Sequence, residues 1–414
     1  MAPVSLSVGI AGAGIAGLAA GAFLARAGHN VTLFDQFERP APVGSGLMIQ
    51  PIGLAVLDAL GAGAGLRAHG APIRRILGRL AGSGRTVLDV SYADRGSAST
   101  GYAVQRATLF EVLLQAAERA GVHLRPGHRV EGTEPTGAGL HLLAAEKAHG
   151  PFDVVIDALG QRSVLCPRPG RLLPYGALWC LVEAGAPGFA PDRLEQRYVA
   201  ARRMTGVLPV GTRPGDDRPM LTFFWSLPAR DHATWEQAPI SDWHAAVAAD
   251  WPETAPLLDQ ITEHGHLSFA RYRHRTLSSP VSGRIAHLGD SYHSASPQLG
   301  QGANMALLDA AALASALATE TEPDAALARY ARLRRLHVSL YTAASWMFTP
   351  VYQSDSRILP VLRDRLLAPL SLVPPMPRIL GHLVAGEIAW PRRGLGPVLG
   401  AAQPLAEGSS SSTI

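Results

Sequence analysis

Apolar positions along this chain follow two different periods, and the change of period divides it. Residues 6–11 are an apolar run of strand length, an apolar helix follows to about residue 27, and residues 31–34 form a second short strand ending at Asp35. That order predicts a parallel strand–helix–strand unit. Residues 76–80 and 86–90 read as a hairpin, 101–106 as a strand entering a helix at 107–120, and 122–125, 129–131, 140–144 and 152–157 as further short strands. Beyond residue 172 the period shortens. Runs at 172–182, 195–199, 203–209 and 220–225 alternate in the manner of an antiparallel sheet with one packed face. Residues 241–261, with Trp243 and Trp251, look helical and peripheral. A strand at 284–288, helices through 317 and over 325–342, and a proline-broken helical segment over 346–384 complete the chain. The pattern predicts a mixed α/β fold.

Glycines sharpen the first unit. Gly12, Gly14 and Gly17 sit between the first strand and its helix. Gly12 permits a tight turn, Gly14 lets a pyrophosphate approach, and Gly17 lets the helix pack on the sheet. Asp35, at the end of the second strand, suits an adenosine ribose. A ligand loop of the same kind lies late. Asp290 ends the 284–288 strand region, and Pro297, Gly300, Gly302, Ala303 and Asn304 precede an apolar helix. The glycines allow close approach to a flat ligand, and the helix N-terminus favours an electron-rich or anionic one.

Gly289-Asp290, then Pro297-x-x-Gly300-Gln301-Gly302-x-Asn304 and Asp309-Ala310, resembles the second FAD-binding motif of the class A flavoprotein aromatic hydroxylases, the p-hydroxybenzoate hydroxylase-like family. With the first motif, this turns the choice between NAD and FAD toward FAD. The resemblance runs in order over roughly residues 5–350. It implies a Rossmann-like FAD-binding domain in three pieces (1–71, 96–167 and 271–345), an antiparallel β-sheet substrate domain inserted as 72–95 and 168–270, and C-terminal helices at 346–407; the serine-rich tail at 408–414 reads as disordered by its own composition. It places Gly46 and Leu47 beside the flavin ring, although the same loop also reads as a plain glycine turn into a helix at 53–60. It sets Arg106, with Gln105 as a neighbour, against the pyrophosphate or ribityl chain. Arg39 could meet the pyrophosphate or stay solvated.

The implied activity is FAD-dependent monooxygenation of an aromatic or other electron-rich small molecule with O₂, through a hydroperoxide at the flavin C4a position. Electrons would come from NAD(P)H or a flavin reductase. Epoxidation, Baeyer–Villiger insertion, a non-redox flavoprotein and a simple FAD dehydrogenase remain open on the same scaffold. Substrate-pocket candidates on the alternating strands are Trp179, Tyr198, Met204, Phe223 and Trp225. No side chain stands out as the substrate base; His293, in the flavin loop, is the nearest and reads as structural.

One motif departs from the family. Where Asp-Gly-x-x-Ser and a later Arg are expected, this chain has Leu159, Gly160, Ser163 and Cys166. Asp157 lies two residues early. Either the turn has drifted, or NAD(P)H is handled differently and the flavin is reduced by another protein or does not cycle.

Composition narrows the partners. A net charge of +4 gives no case for nucleic acid, and Lys147 is the only lysine, so phosphate contacts fall to arginine and backbone. Cys166 and Cys180 have neither metal nor disulfide spacing, which suits a cytoplasmic protein without a metal. The apolar run at 8–25 is rich in glycine and lacks a basic leader, and that at 366–384 is broken by Pro369, Pro374, Pro375 and Pro377, so no membrane span is expected. The run Arg271-Tyr272-Arg273-His274-Arg275 reads as a solvated crossover strand or as a funnel for an anion.

Overall fold

The computed structural model describes residues 5–38, 45–96 and 100–400. Arg39 and the predicted tail at 408–414 lie outside these residues.

A six-stranded sheet carries the first half of the fold. Its order is Val281–Ser282, Ile285–His287, Val154–Asp157, Ser7–Ala11, Asn30–Phe34 and His123–Arg125, parallel apart from the first hairpin. Strand alternation explains its two coats. Val8 and Ile10 face helices Ile15–Arg26, Arg106–Arg119 and Gly302–Thr319 in one large apolar core. Gly9 and Ala11 face the opposite way, toward a meander of Val130–Thr136, Gly139–Ala144 and Lys147–Phe152. A Cβ on Gly9 would stand 2.6 Å from the Phe152 ring, so glycine is needed for that packing. The single strand expected at 152–157 is two: Lys147–Phe152 ends the meander and Val154–Asp157 joins the parallel sheet. Asp153, between them, turns out to accept the Ser7 N–H at 2.8 Å.

The second half is a seven-stranded sheet, ordered Ser268–His274, Arg171–Glu183, Asp216–Pro228, Arg203–Arg213, Arg193–Val199, Arg75–Leu80 and Thr86–Ser91. All its pairs are antiparallel except Arg193–Val199 with Arg75–Leu80. Its outer face is covered by Ile240–Asp250 and Ala255–Leu258. Trp243 and Trp251 are 3% and 2% exposed there, core residues and not peripheral ones. A small sheet of Gly46–Ile49, Gly101–Gln105 and Ala71–Ile73 joins the halves.

Three expected cuts fall inside elements: 71/72 in strand Ala71–Ile73, 270/271 in strand Ser268–His274 and 345/346 in helix Pro323–Tyr352. Composition does not change at those points, so nothing in the sequence marked them. Among the described residues one helix, Gly302–Thr319, is long and apolar enough to cross a membrane. It lies in the core against Ile15–Arg26, where burial on all sides accounts for its composition.

Candidate flavin cleft and substrate face

Three neighbouring parallel strands end together: Ser7–Ala11, Val154–Asp157 and Ile285–His287. Ligands of open parallel sheets bind beyond such ends. Gly12 has φ +102°, and a Cβ there would lie 2.6 Å from the Ala158 carbonyl oxygen. On Gly17 a Cβ would stand 2.0 Å from the Gly12 carbonyl oxygen, so the helix can meet the turn only without one. Gly14 is exposed, precedes the helix start, and is not capped by a side chain. The helix N–H groups beside it are therefore open to an anion. Asp35 accepts the Ala13 N–H at 2.8 Å and the Phe37 N–H at 3.0 Å, and its carboxylate retains lone pairs for a ribose hydroxyl.

The late loop completes the cleft. Gly289 (φ +60°) lies close enough to Ala16 that a Cβ would touch it at 3.5 Å. After the turn Pro297–Leu299, Gly300 takes φ +62° and the long helix begins at Gly302, which is exposed with nothing within 4 Å of an added Cβ. No side chain caps this helix either, so the Gly302, Ala303 and Asn304 N–H groups lead its positive end. The Asn304 side chain is otherwise engaged. Its Oδ1 accepts the Gln50 N–H at 2.7 Å, and its Nδ2 donates to the Met48 and Gly300 carbonyls at 3.2 and 3.0 Å. It staples the late loop to strand Gly46–Ile49. On Gly46 a Cβ would stand 2.3 Å from Thr222 Oγ1 in the other sheet. Its smallness is required there by sheet contact. Leu47 is half-buried against the large core.

Arg106 and Asp290 lie close enough to feel each other's charge, and both are exposed. Protein nonetheless surrounds them closely. Burial lowers the Arg106 pKa against the pull of Asp290, and burial raises the Asp290 pKa against His293, Arg106 and Arg275. A group whose charge is poorly hydrated gains most from a bound polar partner. Behind the loop, Asp309 accepts from the Gly289 N–H (2.8 Å), His293 Nε2 (2.6 Å) and Arg334 Nε (2.6 Å), all buried. Burial alone would raise the Asp309 pKa; His293 and Arg334 outweigh it and hold it low. His293 thus serves the loop's frame.

At the altered turn, Asp157 is fully buried. It accepts from Ser163 Oγ at 2.7 Å and the Leu159 N–H at 3.1 Å, and it pairs with His287 Nδ1 at 2.7 Å. Leu159 packs against the meander cluster. The carboxylate has moved inward, and no acid stands at the Leu159 position to face the cleft.

The seven-stranded sheet turns its Thr222 and Phe224 face toward strand Gly46–Ile49, as the Gly46–Thr222 approach shows. Trp179 lies on that face, 4.6 Å from the Phe224 ring, and its Nε1 donates to the Tyr272 hydroxyl at 2.8 Å. Tyr198 and Met204 also pack with Phe224. Phe223 and Trp225 are corrected: they point to the opposite face, edge-on to Trp243 at 5.9 and 6.2 Å. Alternation gave two equivalent faces, and a choice one residue off inverts inside and outside. Tyr272 was hidden in the basic run. That run is the edge strand of the sheet, with Arg271 exposed and Tyr272 turned toward Trp179 and Arg106. Arg275 is buried instead of solvated and donates to the Ser291 carbonyl at 3.2 Å and to that of Gln161. Strand alternation through 271–274 was the available signal for Tyr272.

The glycine cradle and two uncapped helix ends fit an extended nucleotide, and Arg106 and Asp290 lead from it to an aromatic wall. The family model for the FAD binding domain matches residues 5–345. This chain belongs to that family, the class A flavoprotein aromatic hydroxylases. It is a flavin-dependent monooxygenase with FAD as its cofactor. An aurachin C monooxygenase/isomerase of Stigmatella aurantiaca is 27% identical over 390 residues, spanning 88% of this chain and 94% of the relative. A 3-amino-4-hydroxybenzoate 2-monooxygenase of Streptomyces platensis is 30% identical over 346 residues, 79% and 83% of the two chains. The structure of Klebsiella pneumoniae HpxO complexed with FAD and uric acid superposes with a TM-score of 0.77 at 21% identity, covering 92% of this chain and 97% of that one. In this hydroxylase two residues went unseen in the sequence: Phe224, whose ring lies 4.6 Å from that of Trp179, and Tyr272, which accepts the Trp179 N–H.

Proposed function

We propose that this hydroxylase binds an electron-rich aromatic ring against Trp179, Phe224 and Tyr272 and inserts one oxygen atom into it. The Trp179–Tyr272 pair carries this reading, because it joins the aromatic wall to Arg106 in the cofactor cleft. Gly12, Gly14, Gly17 and Asp35 hold the adenosine end, and Arg106 and Asp290 the middle. The N–H groups at 302–304 would hold the electron-rich edge of the ring system. Bound and reduced, FAD activates O₂ and supplies the transferred oxygen.

The chain's own residues do the rest. The Tyr272 hydroxyl oxygen accepts the Trp179 N–H, which leaves its proton to be donated into the cleft, to a phenolic or carbonyl oxygen of the substrate. Burial raises the Tyr272 pKa, so the group stays a neutral donor. The apolar wall excludes water around the reacting ring.

The inward turn of Asp157 and the apolar Leu159 support reduction by a separate flavin reductase, with NAD(P)H acting directly as the other route. Adding NADH or NADPH to the holoenzyme distinguishes them: rapid bleaching of the flavin without added reductase rejects the two-protein route. For the main reading, candidate phenols are incubated under isotopically labelled O₂ with reduced flavin. One labelled oxygen in the product is expected. Flavin reduction by substrate with no label incorporated would instead identify a dehydrogenase, and no coupled oxygen uptake would identify a non-redox use of FAD.

A further inference from the structure

We propose that residues 358–373 form an in-plane anchor on an anionic lipid surface, independently of the chemistry in the flavin cleft. Among the described residues, eight of the sixteen exposed large hydrophobic side chains fall in this one segment, including Ile358 at 77%, Leu366 at 56% and Leu372 at 59% exposure. The segment is Leu359–Leu362, a wider turn Arg363–Leu367 and Ala368–Ser371 in succession. It is inside out. Arg363 is 1% exposed, its guanidinium 4.9 Å from the Tyr198 ring and 5.4 Å from that of Tyr352, while the leucines point away from the protein. Ala368 packs on the Tyr198–Phe224 cluster. A helix that buries its arginine and exposes its leucines is not arranged for water alone.

Charge selects the occupant. Arg357, Arg365 and Arg378 are exposed and have no ion pair among the described residues. Asp364 is the only acid between residues 356 and 381, and it pairs with Arg363 at 2.7 Å. Apolar groups set among unpaired cations fit anionic headgroups over acyl chains. A two-fold contact with a second copy would set these arginines against one another without an acid between them. The chain's last residues, 401–414, offer only Leu405 and Ile414 as large apolar side chains, too few to cover the patch. The helical stretch is about 20 Å long, shorter than the roughly 30 Å hydrocarbon core, so it lies along the surface instead of crossing it. A cavity of about 730 Å³, lined in part by Tyr198, Asp355, Pro360 and Val361, opens at the segment's edge, which would set its mouth beside the lipid.

The test is co-sedimentation of the holoenzyme with phosphatidylglycerol-containing vesicles and with pure phosphatidylcholine vesicles, alongside light-scattering mass. Binding to the anionic vesicles, weakened by salt and reduced roughly tenfold or more by Leu366→Glu with Leu370→Glu, is expected. Retained flavin colour checks that the variant folds. If it does not, Arg365→Glu gives the second reading and should weaken anionic binding alone. Wild-type protein left in the supernatant with both vesicles overturns the proposal. So does a stable dimer that the leucine substitutions dissociate, which assigns the patch to a second copy.

Discussion

At Gly12, Gly17 and Gly300 the candidate cofactor site is shaped by backbone, whereas the proposed substrate wall at Trp179, Phe224 and Tyr272 is made of side chains on one face of a sheet. The first region is built where parallel strands end: a Cβ on Gly12 or Gly17 would strike backbone, and Gly300 takes a left-handed φ that favours glycine. The second is built across strands that pair at long range, and its chemistry depends on which way alternate residues point. Backbone recognition writes itself into the sequence as glycine spacing. Side-chain recognition is written only as apolar alternation, which any sheet with a core also shows.

The sharpest way to break this contrast is Gly17→Ala. Its Cβ would stand 2.0 Å from the Gly12 carbonyl oxygen, a backbone atom that cannot swing aside. We expect purified protein without the visible flavin band even after incubation with excess FAD. A yellow variant with normal affinity would show that the turn is pliable and that the backbone does not govern recognition.

Phe223→Ala and Phe224→Ala test the sheet. Phe223 is fully buried under Trp243, so its truncation should cost about 3–5 kcal/mol in denaturant melts while the folded fraction turns over normally. Phe224 is also buried, 4.6 Å from the tilted Trp179 ring, so its truncation should cost stability too and in addition weaken substrate binding and product yield. The reverse outcome would exchange the two faces.

Acid should separate the halves. Burial holds the His337 pKa down to about 3, with Arg334 adding to the effect. The unfolded chain takes up this proton near pH 6.5, the folded chain only near 3. His337 therefore leaves stability intact above about pH 6.5, and as pH falls below that the unfolded state gains at about 1.4 kcal/mol per pH unit. His337→Gln should remove up to about 1.4 kcal/mol per pH unit from the acid slope of the unfolding free energy and so flatten the fall in melting temperature. An unchanged slope would mean that other groups set the acid sensitivity of the cofactor half.

The smallest effect is expected from Trp179→Phe, which keeps the ring contact and removes the 2.8 Å hydrogen bond to Tyr272. A loss of about 1 kcal/mol corresponds to about a fivefold rise in KM, with kcat changed less. Equal falls in kcat and kcat/KM would instead place the Trp179–Tyr272 pair in the reacting geometry itself.

Much of the nucleotide half was legible: the strand–glycine–helix start, Asp35, and the Asp290 to Asn304 loop are contiguous signals with a local cause. Even there the causes were partly hidden. Gly46 reads in sequence as a flavin neighbour, and the structure adds a second reason for its smallness: Thr222 of the other sheet crowds it. Asn304 reads as a backbone N–H at the helix start, and its side chain has a further task the sequence hid: it staples the loop to Met48 and Gln50, more than 250 residues away. Asp157 looked like a poor replacement for a missing acid and proves to be committed to Ser163 and His287.

The amino-acid order by itself determined that a parallel nucleotide-binding unit would form, that its turns needed glycine, and that an alternating sheet would follow, because these depend on local backbone sterics and short-range periodicity. Only the tertiary structure decided which face of that sheet met strand Gly46–Ile49, that Tyr272 left the basic run to join Trp179, and that Arg363 turned inward while its leucine neighbours stayed outside. Those choices depend on strand register and on packing between segments distant in the chain, where a shift of one residue reverses the answer.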